Sequence, residues 1–252
     1  MIQSKKLSKF KKINHGFFNR NSGTSKGIYK SLNCGPGSKD KKKDIQKNLE
    51  IVRKKIGKNS KKIFLLNQIH SNKFVYIDEN FTFKKKIKAD AVITNQKNLP
   101  IAILTADCVP LLLYDNKKSI IAAIHAGWKG AFKDIIDKVI NFMSSKGCDR
   151  KNITVAIGPC ISQKNYNVKE DFKIKFLKKD KKNKIFFSKR KGLIYFNLPK
   201  YVKYQLESNR INRIDLLKID TFDKKNNYFS ARRSLRLKHD DYGRNISIIM
   251  IN

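Results

Sequence analysis

Four short apolar runs constrain this chain most: Ala91 to Thr94, Ile101 to Leu104, Leu111 to Tyr114 and Ile120 to Ile124, none of which alternates apolar with polar residues. A strand with one wet face shows a two-residue alternation, whereas runs like these need cover on both faces. They predict the centre of a covered sheet. The recurrence of Phe132, Ile135, Ile136, Val139, Ile140 and Met143 has the spacing of one core-facing helix, closed by Gly147. Ile153 to Ile157 and Leu193 to Phe196 then read as strands, the second followed by Asn197 as cap and Pro199 in the first turn of a helix carrying Tyr201, Val202 and Leu206. Ahead of the four runs, Ile45, Leu49, Val52 and Ile56 mark an amphipathic helix from Ser38 to Ile56, and Ile63 to Leu66 and Phe74 to Ile77 read as strands. Ile214 to Ile219 and Ile246 to Ile251 close the pattern. Strands and helices interleave without a linker or repeat, which predicts an α/β chain of the α+β type: one layered domain over residues 1–252, with a mixed β-sheet covered by helices.

Composition narrows the function classes. With 40% hydrophobic residues in 252, a real core is available. The longest apolar stretch, Leu99 to Tyr114, is broken by Asp107, well short of a membrane span of roughly 18 residues. The basic N-terminus leads into no apolar run of the signal-peptide kind. A soluble, cytoplasmic protein is expected, with its four cysteines reduced. The net charge of +37 would ordinarily suggest nucleic acid. Lysines, however, are scattered through nearly every polar segment, and only 10 of the 57 basic residues are Arg. Base readout leans on Arg forks and stacking aromatics at defined sites, so no specific nucleic acid is expected as a partner. No P-loop, dinucleotide fingerprint or nucleophile elbow is present.

Polar residues that interrupt buried strands carry the chemical information, because a polar group in a core costs free energy unless it is paired. Three stand out: His70 after a strand, Cys108 in Thr105-Ala106-Asp107-Cys108-Val109-Pro110, and His125 in Ile124-His125-Ala126-Gly127-Trp128. They are too far apart for a local zinc knuckle, so only the fold can assemble them. A thiolate with two imidazoles suits Zn²⁺ and leaves a fourth position open, the arrangement of a catalytic site, with Asp107 or Asp90 orienting an imidazole. Two other readings stand beside it: a Cys-His nucleophilic pair, and a buried Cys acting as a small hydrophobe next to two satisfied histidines.

The segments Asn67-Gln68-Ile69-His70-Ser71, Ala89-Asp90-Ala91, Thr105-Ala106-Asp107-Cys108-Val109-Pro110, His125-Ala126-Gly127-Trp128-Lys129-Gly130 and Ala156-Ile157-Gly158-Pro159 resemble a known family. It is variously called the multicopper polyphenol oxidase (laccase) domain family, laccase-domain purine nucleoside phosphorylases, or peptidoglycan-editing factors. His15-Gly16-Phe17-Phe18 with Arg20 and Asn33 resemble its opening segment, and Phe229-Ser230, Arg232-Arg233 and Tyr242-Gly243-Arg244 its closing one. The resemblance implies a metal site at His70, Cys108 and His125, normally zinc, with copper as the alternative. It also implies phosphorolysis of adenosine, inosine and methylthioadenosine to the base and ribose 1-phosphate, with adenosine deamination, so purine nucleosides and phosphate are the expected partners. Cys108, Asp107 and Gln68 are the candidate catalytic residues. Arg20, Arg233 and Arg244 are candidate phosphate ligands because guanidinium forks match oxyanions. Lys129 would add a point charge, and Asn33 would hydrogen-bond ribose or base. The bland alternatives for these are surface ion pairs and turn caps. Two positions depart from the family pattern: Asn167 stands where Glu is usual, and Ala231 where Tyr is usual.

Three rivals compete with this reading. A copper-dependent phenol oxidase needs His-rich clusters, which four histidines (His15, His70, His125 and His239) hardly build. A cell-wall editing protein would recognise a muropeptide precursor in the same cleft. A nucleic-acid binder would rest on charge alone.

Overall fold

The four apolar runs are strands in the computed structural model, which describes residues 1–58, 60–82 and 87–252. In chain order the strands are β1 (Ile13–Phe17), β2 (Phe64–Leu65), β3 (Phe74–Ile77), β4 (Ala91–Thr94), β5 (Ile101–Thr105), β6 (Val109–Asp115), β7 (Ile120–Ala126), β8 (Ile153–Ile157), β9 (Asn167–Val168), β10 (Phe187–Arg190), β11 (Leu193–Phe196), β12 (Arg213–Leu216) and β13 (Asn245–Ile251). The α-helices are α1 (Lys42–Ile56), α2 (Trp128–Phe132), α3 (Ile135–Ser145), α4 (Glu170–Lys179), α5 (Leu198–Ser208) and α6 (Ala231–Arg236).

The expected mixed sheet is the six-stranded one, ordered β12-β8-β6-β7-β4-β3 and parallel only at its two outer pairs. A second sheet, β1-β13-β5-β2, lies over one of its faces, and a small separate antiparallel sheet, β10-β11-β9, packs Phe196 into the core on the opposite face. The missing alternation now has a cause. On one face of the large sheet, Leu111, Leu113, Ala122 and Ile124 pack with Ile136, Val139 and Ile140 of α3 and Val202 and Leu206 of α5. On the other, Leu112, Tyr114, Ile121 and Ala123 pack with Ile101, Ile103, Ile249 and Ile251 of the second sheet. That second sheet is covered in turn by Val52 and Ile56 of α1, against Ala102, Ile246 and Ile248. Helix, sheet, sheet, helix is the resulting order, and both inner layers are dry on both sides. At about 1.5–3 kcal/mol for each fully buried aliphatic side chain, this double burial drives the fold.

Some predicted elements change shape. The apolar repeat from Phe132 to Met143 is not one helix, because Asp134 adopts the left-handed conformation (φ +62°) between α2 and α3. Carbonyls released at the break find side-chain donors: Ala131 accepts from Gln205, Phe132 from Lys179 and Lys133 from Asn72. Ile214 to Ile219 shortens to β12, Arg213–Leu216. All four cysteines are free thiols, as expected. No helix is long and apolar enough to cross a membrane among the described residues.

Candidate metal centre

One end of the large sheet gathers the three singled-out residues, and strand register explains how. β6 and β7 pair Val109 with Ala126 and Pro110 with His125, so Cys108, one residue before β6, comes to the end of β7 beside Gly127. β4 lies on the other side of β7, pairing Ala91 with Ile124, and the backbone N–H of His125 donates to the carbonyl of Asp90 at 2.8 Å. β3 runs parallel to β4, and the loop before β3 delivers His70. The ligating atoms of His70, Cys108 and His125 all lie within 4.8 Å of one another. Their burial is graded: His125 is buried, Cys108 half-buried and His70 exposed, so the cluster opens to solvent on the His70 side.

Asp90 organises the centre. Its carboxylate is fully buried and accepts from His125 Nδ1 at 2.8 Å, which leaves Nε2 as the ligating nitrogen. It also accepts from the backbone N–H groups of Ile69, His70 and Ser71 and from the Ser71 hydroxyl. These bonds hold the His70 backbone in the left-handed region (φ +56°), a conformation rare for residues other than glycine. Burial alone would raise the Asp90 carboxyl, but the donors from His125 and Ser71 outweigh it and hold it at about 2. Burial likewise opposes ionisation of Cys108 and His125, yet each favours the charge of the other: the thiol moves down and the imidazole up.

The residues fit a metal on two counts. Thiolate plus two imidazoles is a donor set that selects Zn²⁺ or copper over harder cations. Gly127 closes the third side with no side chain: a Cβ there would stand 3.0 Å from Cys108 Sγ and 3.1 Å from His70 Cδ2. Gly127 is thus a cradle that keeps the space beside the thiolate open. Among the described residues, no other group of three or more His, Cys, Asp or Glu converges in this way.

A family model described as multi-copper polyphenol oxidoreductase laccase matches residues 14–252. The chain belongs to that family. A purine nucleoside phosphorylase of Rickettsia conorii is 37% identical over 213 residues, covering 80% of this chain and 87% of the relative. One of Bacteroides thetaiotaomicron is 29% identical and covers 100% and 96%. Among solved structures, a Neisseria meningitidis protein is similar with a TM-score of 0.84 at 25% identity, covering 96% of both chains. A Bacillus licheniformis hypothetical protein shares the fold at a TM-score of 0.86, covering 95% of this chain and 93% of its own.

Other candidates of this laccase-family chain are distributed unevenly. Of the two proposed orienting carboxylates, Asp90 holds an imidazole and Asp107 does not. Asp107 is buried beside Cys108 and accepts from Thr221 Oγ1 at 2.6 Å and from the Arg232 backbone N–H at 2.9 Å; burial raises its carboxyl above the usual range. Gln68 has both ends of its carboxamide on the backbone of Leu104, so it ties the His70 loop to β5. Asn33 is fully buried and holds the backbone N–H groups of Gly35 and Arg244, while Arg244 pairs with Asp241. These polar groups are engaged in contacts within the fold. Lys129 is exposed, and Trp128 packs against Phe172 at 5.0 Å.

Arg20 and Arg233 do come together, lining a cavity of about 600 Å³ with Lys30, Lys224, Ser230 and His239 and with no acidic side chain on its wall. Burial, and for Arg20 the neighbouring Arg233, lowers both guanidinium groups. Arg233 is held by the carbonyls of Thr221, Phe222 and Tyr228, whereas among the described residues the Arg20 guanidinium bonds only through Nε, to Lys30, and stacks on Phe229 at 4.8 Å. Against the effect of its burial, the charge of Arg233 on the cavity wall pulls down the carboxyl of Asp107, the residue before Cys108. Cys160 is buried, and burial pushes its thiol far up, so it is inert. Tyr166 and Arg232, which border the centre, escaped the sequence reading as site residues. Neither interrupts a buried strand; Arg232 falls within the family-like closing segment and Tyr166 precedes the Asn167 departure, neither with an assigned role.

Proposed function

We propose that the chain is a zinc-dependent purine nucleoside phosphorylase that converts adenosine, inosine and methylthioadenosine to free base and ribose 1-phosphate, and that also deaminates adenosine. The convergence of His70, Cys108 and His125 on one opening, organised by Asp90, carries this reading. The names of the relatives support it. Zinc bound there supplies Lewis acidity at a position left open by three protein ligands. Asp90 holds His125 in the ligating tautomer and fixes the His70 loop, so the donor set is organised before a ligand arrives. Phosphorolysis joins a phosphate oxygen to C1′ of the ribose and releases the base with the C1′–N9 electron pair. The protein must therefore hold a multiply charged anion near the sugar. Arg20 is the residue we assign to this: its Nη1 and Nη2 have no partner among the described residues, and Arg233 adds a fixed positive charge beside it. Asp107, next to Cys108, lies within reach of the Arg233 charge on that wall.

The distribution of histidine disfavours the multicopper oxidase reading. His15 accepts from the Ser4 backbone N–H and His239 lines the basic cavity, which leaves two histidines at the centre. The test is a product assay on metal-quantified protein with each nucleoside, with and without phosphate. Phosphate-dependent base release that is lost in Cys108→Ala, and that needs far more phosphate in Arg20→Gln at unchanged zinc content, is expected. Stoichiometric zinc with no turnover of any nucleoside refutes the reading.

A further inference from the structure

Arg232 stands beside the centre, and its guanidinium donates to no carboxylate among the described residues. Its backbone N–H is fixed on Asp107, next to Cys108, and its side chain lies over the Tyr166 ring, 5.3 Å from the centroid. Tyr166 is close enough to Cys108 that negative charge there adds to burial in raising the phenol. The Arg232 Nη1 donates to Asn167 twice, to the backbone carbonyl at 3.1 Å and to the side-chain Oδ1 at 2.6 Å. Asn167 itself begins β9, whose pairing with β11 sets Asn167 opposite Tyr195 and holds the segment still.

The consequence lies in the amide. A guanidinium only donates, so Oδ1 must face Arg232, and the Asn167 NH₂ is turned the other way. That NH₂ has no hydrogen-bond partner among the described residues, on a half-buried side chain. Two fixed donors therefore stand side by side on an aromatic wall near the thiolate: the free edge of the Arg232 fork and Asn167 Nδ2. Neither offers an acceptor.

We infer that Asn167, oriented by Arg232, is a specificity residue that selects 6-oxopurine over 6-aminopurine nucleosides, its Nδ2 donating to O6 while the base lies against Tyr166. This inference rests on the phosphorylase reading and names its preferred substrate class. An O6 acceptor meets a donor, whereas an exocyclic amino group meets another donor and leaves both unpaired in a partly dry site. A mismatch of this kind discriminates by about tenfold to a hundredfold, more where the site is fully dry.

The experiment uses the full-length, zinc-loaded protein with phosphate. Hypoxanthine released from inosine and adenine released from adenosine are separated chromatographically, so that deamination is scored apart. Wild type is expected to favour inosine in kcat/KM by about tenfold or more. Asn167→Asp keeps the size and the bond to Arg232 but turns the second atom into an acceptor. It should lower the inosine-to-adenosine ratio in kcat/KM at least about tenfold. Asn167→Ala should bring the ratio toward one. A role confined to structure would lower both substrates alike and leave the ratio in place. Wild-type preference for adenosine, or variants that change both rates in parallel, overturns the inference while the phosphorylase reading stands. Absence of turnover with either nucleoside at full zinc loading overturns both together.

Discussion

Gly127→Ala separates the metal centre from the fold on which it sits. The backbone at Gly127 is extended (φ −71°, ψ 164°), a conformation alanine adopts freely, so the substitution introduces no backbone strain. In the metal-free protein the change should even help, since replacing glycine at a compatible position restricts the unfolded chain by about 0.4–1 kcal/mol. The added methyl, however, lands 3.0 Å from Cys108 Sγ and 3.1 Å from His70 Cδ2, inside an ordinary contact distance of about 3.5–4.0 Å. Exposed His70 yields at little cost, and Cys108 yields by turning its sulfur. Both movements spread the donor atoms that must converge on one ion. Displacements of this size at a ligand shell cost about 10- to 100-fold in metal affinity, or about 1.4–2.7 kcal/mol. Chelator competition for zinc, run beside urea unfolding of the metal-free form, measures the two quantities separately. The expected outcome is weakened zinc binding with metal-free stability within about 1 kcal/mol of wild type. Unchanged zinc affinity would refute the claim that Gly127 keeps space for the ion.

Two further predictions rest on other residues. Asp90→Asn gives one acceptor oxygen to donors now shared by two, so buried N–H groups of the His70 loop or His125 face an NH₂; metal-free stability should fall by about 1–3 kcal/mol and zinc affinity by about 10- to 100-fold. Equal unfolding midpoints and equal zinc affinity would count against Asp90 as the organiser. His15 supplies a pH signature far from the centre. Burial holds its imidazole down at about 4, against about 6.5 in an unfolded chain. Between those values the unfolded chain binds a proton that the folded one does not, so the contribution is present at neutral pH and is lost as pH falls from about 6.5 to about 4, by about 3 kcal/mol. His15→Gln removes a proton-binding group from both states. The wild-type minus variant difference in unfolding free energy should therefore shrink steadily with acidification across that window, and a pH-independent difference would contradict the assignment.

Much of this protein is legible from local patterns. Unalternating apolar runs predicted strands covered on both faces, because burial on each side removes the need for polar residues anywhere along them. Asn197 and Pro199 marked a helix start correctly: the Asn197 side chain accepts from the Lys200 backbone N–H in the first turn of α5. The break at Asp134 was invisible, since the apolar repeat runs straight through it and the carbonyls it frees are satisfied by Gln205, Lys179 and Asn72, donors distant in the chain. Strand β1, the short strands β9 and β10, and helices α4 and α6 were not predicted; the short β9, β10 and α6 are stabilised by neighbours rather than by their own periodicity.

For the site, the amino-acid sequence singled out His70, Cys108 and His125 as metal-binding side chains at strand ends, and the family resemblance favoured them over other candidates such as Cys160, which also follows a strand. The sequence could not determine how their charges are arranged. Asp90 and Asp107 look alike as buried carboxylates next to strands, and register alone puts the first against His125 and leaves the second holding Thr221 and Arg232. Arg20 and Arg233 meet across a cavity, while Arg244, equally basic, pairs with Asp241. Residue type sets what a side chain is able to bind; which partners reach it is set by strand pairing between segments tens of residues apart, and that is a property of the tertiary structure.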